Sequence, residues 1–176
     1  MKSNKKVATK RPTQQHDTLM ASTTAKDDLK EAEKLLKQVT KENLHNSKNK
    51  EIYQTKLEQA FDYLTNACNK DTQMAKAFFL RGKCYYHMGD YQRALYDFSY
   101  AIRIEEDRKA RDKDGKDKQL MRDLGEYYNF AGVQHFELGQ LDEALQHYNL
   151  AIDHDSGVGM YYYNRGLVRS RLNDLD

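Results

Sequence analysis

Proline is nearly missing from this sequence: Pro12 is the only one in 176 residues. A proline inside a helix costs about 3 kcal/mol, so nothing after residue 12 forbids long helices. Cysteine is scarce too. Cys68 and Cys84 stand alone, in neither a CxxC nor a zinc spacing. That excludes a disulfide framework, and free thiols fit a reducing compartment. No apolar run approaches the roughly 20 residues that span a bilayer. The first residues also lack the apolar stretch of a secretory signal. Charge of one sign is missing as well: 29 basic and 27 acidic residues leave a net charge of +2, too little to steer the whole molecule to nucleic acid. There is no glycine-rich phosphate loop and no EF-hand spacing. His16, His45, His87, His135, His147 and His154 form no HxxxH or HExxH pair. By its site chemistry the chain reads as a non-enzyme without metal or cofactor.

What is present points to helices. Hydrophobic residues are 39% and charged residues 32%, a balance that suits thin helical layers with much surface. Lys2, Lys5, Lys6, Lys10 and Arg11 precede the first acid, Asp17. Without these five, 24 basic residues face 27 acidic ones. Residues 1–22 have little to bury and are expected to form a disordered basic tail. Such a tail either solubilises or meets an acidic surface through salt-sensitive contacts. Residues 23–50 read as an amphipathic helix and a polar loop. Thr24-Ala25-Lys26-Asp27 has the capping-box form with Asp in place of Glu, and Leu29, Ala32, Leu36 and Val39 keep a helical stripe. Asn-Ser-Lys-Asn within 43–50 marks the loop, and a further helix is expected from Glu51.

The stretch 78–104 reads as two helices folded about Met88-Gly89-Asp90. Gly89 ends the first and Asp90 caps the second. Shifted by 50 residues, Gly82 falls on Gly132, Gly89 on Gly139, Ala94 on Ala144 and Ala101 on Ala151. The aromatics follow, with Phe78 on Tyr128 and Phe98 on Tyr148. Shifted by 34, Tyr128 falls on Tyr162 and Gly132 on Gly166; backwards by 34, Ala94, Phe98 and Ala101 fall on Ala60, Leu64 and Ala67. The period is 34, and the step of 50 contains a charged 16-residue insertion. Residues 51–176 therefore divide into a degenerate copy at 51–72, full copies at 75–108 and 125–158, a partial copy at 159–176 and the insertion at 109–124. Without a proline to close it, the second helix of the first full copy is expected to run on towards Arg111, with Gly115 at a charged tip. In each copy glycine and alanine let the helices approach, and the aromatics Phe78, Phe98, Tyr128, Tyr148 and Tyr162 fill the space.

A helix-turn-helix period of 34 residues with these positions resembles the tetratricopeptide repeat. The resemblance implies an all-α, right-handed helical-hairpin solenoid, with an extra amphipathic helix before it and the charged insertion between repeats. The family's usual proline is replaced by Glu106 and Ser156, and the apolar edge of Leu167, Val168, Leu172 and Leu175 suggests the first part of a longer array. In this family the first helix of each repeat lines a concave groove. The matching positions are Lys76, Phe79, Lys83, Tyr86 and His87, then Glu126, Asn129, Val133, Phe136 and Glu137, then Met160, Tyr163, Leu167 and Arg171. One branch clamps the terminal carboxylate of heat-shock chaperones with Lys, Asn and Arg. Here Phe79, Lys83, Phe130, Met160 and Asn164 stand in those places, which disfavours a co-chaperone.

The expected function is a protein–protein interaction scaffold whose apolar, aromatic groove takes a helical or extended peptide. The alternative that the chain's own N-terminal helix fills the groove stays open. An RNA-associated repeat protein is disfavoured by the mixed charges of Lys76, Lys83, Glu126, Glu137 and Arg171. By analogy with the family, the setting is cytoplasmic, with cytoskeletal or ciliary assemblies included.

Overall fold

A computed structural model describes residues 23–41 and 47–173; the basic tail, the first part of the polar loop and Leu175 lie outside them. Among the described residues there are seven helices and no strand: α1 Ala25–Lys41, α2 Ser47–Lys70, α3 Ala75–His87, α4 Tyr91–Arg111, α5 Lys118–Glu137, α6 Leu141–His154 and α7 Gly159–Asn173. Each helix packs on its neighbours in sequence. The result is an all-α stack of helical hairpins, a solenoid with no central sheet or closed barrel.

Local chemistry sets the helix ends. At the start of α1, Asp27 Oδ2 accepts from the Thr24 backbone N–H at 3.1 Å, and Thr24 Oγ1 accepts from the Asp27 N–H at 3.2 Å. This is the reciprocal capping box, formed with Asp. The Thr24 bonds hold the Asp27 carboxyl below its ordinary range. α2 begins at Ser47, so residues 47–50 are helical where a loop was expected. Its far end returns to the start of α1. Lys70 Nζ donates to Asp28 Oδ2 at 2.7 Å, with Thr23 Oγ1 donating to the other carboxylate oxygen. That meeting of ends makes α1 and α2 an antiparallel pair.

The next two hairpins are built alike. Gly89 and Gly139 turn the chain at φ of 78° and 75°, where a Cβ would be strained. Asp90 caps α4 by accepting from the Arg93 N–H. α4 continues to Arg111 and Gly115 turns at φ 61°. The charged insertion is therefore the end of α4, a turn at 112–117 and the start of α5. Arg108 bridges Glu105 and Asp117, while Asp117 caps α5 through the Leu120 N–H.

The core is continuous from α1 into α5 and holds Ala60, Leu64, Ala67, Phe78, Phe79, Ala94, Phe98, Ala101, Leu120, Leu124 and Tyr127. A smaller cluster of Leu141, Ala144, Tyr148 and Val168 joins α6 to α7. A Cβ on Gly82 would lie 2.6 Å from the Phe98 ring, and one on Gly132 would lie 2.8 Å from the Tyr148 ring. These glycines are notches into which the partner helix sets an aromatic.

Two expected packing residues behave otherwise. Tyr162 is 41% exposed, and nothing lies within 4 Å of a Cβ built on Gly166. Their place on a repeat's first helix is as expected. Among the described residues, however, no second helix follows α7 to close on them.

Candidate functional site

Helices α1, α3, α5 and α7 are tied to one another by polar contacts. Lys76 Nζ pairs with Glu33 at 2.6 Å, joining α3 to α1, and Lys83 Nζ lies 3.7 Å from Glu126, joining α3 to α5. Asn164 Nδ2 donates to Asn129 Oδ1 at 2.9 Å, and the Arg171 guanidinium lies 5.3 Å from the Phe136 ring centre. Those two contacts join α7 to α5.

Between α1 and α3 a cavity of about 240 Å³ opens. Leu36, Val39 and Leu80 make its apolar floor, and Glu33, Lys37, Lys83 and His87 make a charged rim. Lys83 and His87 were expected in a groove from repeat position alone. The α1 residues and Leu80 were not. α1 is a wall of this cavity and packs along α2. Burial, helped by the Lys83 charge, pushes the His87 imidazole below its ordinary value, favouring the neutral ring.

The other expected groove residues divide into three groups. Phe79 is 3% exposed; its ring stacks on Tyr127 at 4.2 Å and meets Phe98 and Phe130. It is a core residue, because α3 is covered by α4 on one flank and by α5 on the next. Consecutive residues turn about 100° around a helix, so Phe78 and Phe79 are both enclosed. Asn129 is likewise buried, and Val133 and Phe136 pack half-buried on the smaller cluster. Tyr86 is half-buried against Tyr91 and His87. Met160, Tyr163 and Leu167 are exposed by 57%, 62% and 44%. These three, all on α7, are the apolar side chains of the expected set that solvent reaches freely.

Burial pushes both the Cys68 and Cys84 thiols up to about 12, which makes them inert packing residues. His135 and His147 approach to 4.6 Å between ring centres, a neighbourhood that their separation in sequence hid. Among the described residues no group of three or more His, Cys, Asp or Glu side chains could hold a metal ion. Nor is any described helix long and apolar enough to cross a membrane.

Residues 75–108, the α3–α4 hairpin and the turn between, match the tetratricopeptide repeat family. The chain thus carries a tetratricopeptide repeat in a helical-hairpin solenoid. Solved structures with the same fold include the first repeat domain of Spaghetti (RPAP3) bound to an HSP90 peptide. It is 18% identical over 86% of this chain and 99% of that one, with a TM-score of 0.59. A repeat protein of Thermus thermophilus is 20% identical over 86% of this chain and 68% of that one, with a TM-score of 0.60. The Sgt2 repeat domain of Aspergillus fumigatus is 14% identical over 82% and 81%, with a TM-score of 0.56. At these identities the likeness is one of fold. No curated protein sequence matches the chain.

Proposed function

We propose that this protein is a non-catalytic interaction scaffold that receives a helical or extended segment of a partner protein in the groove beside α1 and α3. The observation that carries the reading is the cavity with an apolar floor of Leu36, Val39 and Leu80 inside a rim of Glu33, Lys37, Lys83 and His87. An amphipathic segment satisfies both parts, its apolar anchors on the floor and its polar face at the rim. The solved neighbour with a chaperone peptide supports peptide binding as the class of activity. Chaperone-tail specificity is not part of the proposal. In the places of the carboxylate clamp, Phe79 is buried, Lys83 lies over the Phe79 and Phe130 rings, and Asn164 is bonded to Asn129. Nucleic acid is disfavoured as well, since Lys76 and Lys83 are each met by an acid. A cytoskeletal or ciliary partner belongs to the same proposal, by analogy with the repeat family.

The test is a doubly altered chain, Leu36→Gln with Leu80→Gln, compared with the parent in affinity capture from cell extract read by quantitative mass spectrometry. Unchanged helical circular dichroism is the control. Partners captured by the parent are expected to fall by about tenfold or more, the scale of losing two buried apolar anchors. An identical set of partners in equal amount would remove this groove as the binding site.

A further inference from the structure

The two full hairpins tie their helices together differently. In the first, Arg81 on α3 and Asp97 on α4 form a buried pair at 2.7 Å. Fifty residues on, those places hold Ala131 and His147, which cannot form that pair. His135 on α5 comes alongside instead, its ring centre 4.6 Å from that of His147. The Nδ1 atom of each ring is already committed. His135 Nδ1 lies 2.8 Å from Gln140 Oε1, across the Gly139 turn, and His147 Nδ1 lies 2.8 Å from the Glu143 backbone oxygen. Carbonyl oxygens only accept, so each Nδ1 carries the proton of the neutral ring and each Nε2 keeps its lone pair. Neither Nε2 has a partner among the described residues. Gln140 stands at the N-cap of α6, yet its side chain caps nothing. Asp90, in the same place before α4, accepts from the Arg93 N–H. The Gln140 amide is turned to His135 instead.

We infer that His135 and His147 form a binding site for a divalent transition-metal ion, which clips α5 to α6 through the two Nε2 atoms. A ring whose other N–H is held by a carbonyl is the usual form of a metal-binding histidine. That bond fixes the tautomer and makes the ligating nitrogen more basic. Metal–nitrogen bonds of about 2.0–2.1 Å set each ring centre about 3.2 Å from the ion. Ring centres 4.6 Å apart then subtend an angle of about 90° at the ion, which suits neighbouring positions of an octahedral or square site. A tetrahedral ion asks for about 5.2 Å between the centres, a small side-chain movement. Imidazole selects nickel, copper and zinc, whereas magnesium and calcium take oxygen. Both rings are half-buried, so an ion reaches them from solvent. The remaining positions fall to water, which makes the site open and the metal exchangeable. Stacking on Tyr128 accounts for the burial of His147, but not for two neighbouring rings each held by a carbonyl. The site shares no residue with the α1–α3 cavity and does not depend on it.

The probe is nickel ion alone, titrated into the whole chain without an affinity tag and read by calorimetry. One ion per chain at micromolar affinity is expected; zinc should compete for it and magnesium should not. His135→Ala and His147→Ala should each weaken binding tenfold or more, with helix content checked by circular dichroism. Gln140→Ala keeps both ligands but releases the His135 ring, and should weaken binding about tenfold. A saturating ion should raise the melting temperature of the parent by about 5 °C and leave that of His135→Ala unchanged. The Leu36→Gln, Leu80→Gln chain should bind as the parent does. In the parent itself, zinc should move the Nε2 signals of His135 and His147 in NMR spectra of the imidazole nitrogens. Absence of saturable binding overturns the inference, as does equal binding of magnesium. Binding that both alanine variants leave intact, or zinc shifts confined to other histidines, would overturn it too.

Discussion

α3 and α7 each carry an aromatic, an arginine and a glycine at the same spacing, Phe78, Arg81 and Gly82 against Tyr162, Arg165 and Gly166, yet their surroundings are opposite. Around α3 the device is closed. Arg81 and Asp97 form a bidentate pair with side chains only 15% and 1% exposed, and Gly82 receives Phe98. Around α7 it is open: the arginine reaches back to Asn149 and the glycine faces empty space. The difference teaches that the motif is one half of an interface. An aromatic, an arginine and a glycine on one helix become core only when a second helix supplies the acid and the ring. The two hydrophobic clusters follow the same division, the larger around α3 and α4 and the smaller between α6 and α7. The less regular half also holds Gln134, whose two amide atoms are buried without a hydrogen-bond partner.

The sharpest test of this comparison is electrostatic. Asp97→Ala leaves the Arg81 guanidinium buried without its carboxylate, and breaking a buried pair costs about 3–5 kcal/mol. Asn149→Ala removes only the bond to Arg165, worth about 0.5–1.5 kcal/mol. Urea denaturation of both variants reads the contrast, and equal losses would break it.

A steric test is smaller but should reverse sign. Gly82→Ala and Gly132→Ala press a methyl group on Phe98 and Tyr148, at an overpacking cost of about 1–3 kcal/mol. Gly166→Ala meets nothing, so the helix gains roughly 0.5–1 kcal/mol. Thermal melting of the three variants checks this, and destabilisation at Gly166 would show that its notch is already filled.

The smallest effect expected is with pH. Burial holds the His147 imidazole below its ordinary value of 6.5, with the nearby His135 acting in the same direction. The unfolded chain therefore takes up this proton first as pH falls. The stability of the neutral, buried ring is complete above about 6.5 and is lost as pH falls from there through the lower folded value. His147→Gln should lessen the fall in melting temperature between pH 7 and pH 5. Parallel curves for parent and variant would assign the acid sensitivity to other groups.

Much of the backbone was legible because it depends on short-range chemistry. Thr24 and Asp27 announce a cap, Gly89 and Gly139 announce turns, and the missing proline lets α4 reach Arg111. Fixed spacings carried the hairpins, since Gly82 and Phe98 must meet whenever their helices do. The groove was harder to read. Phe79 fell on a groove position by its place in the repeat, but the flank it occupies is closed by Tyr127 and Phe130 across the insertion. Leu36 and Val39 stood out as an amphipathic stripe. Their role as a cavity wall depends on α1 returning along α2, and a polar stretch between the two helices gives no sign of that.

By itself, the sequence determined where helices form, where they turn and which small and aromatic residues repeat every 34 positions. Those properties follow from backbone conformation, capping and periodicity within a few turns of chain. Only the tertiary structure decided which repeated residues are covered. Burial depends on whether another helix arrives on a given flank. That is why Phe79 is core, why α1 walls the cavity, and why the same arginine and glycine are sealed on α3 and open on α7.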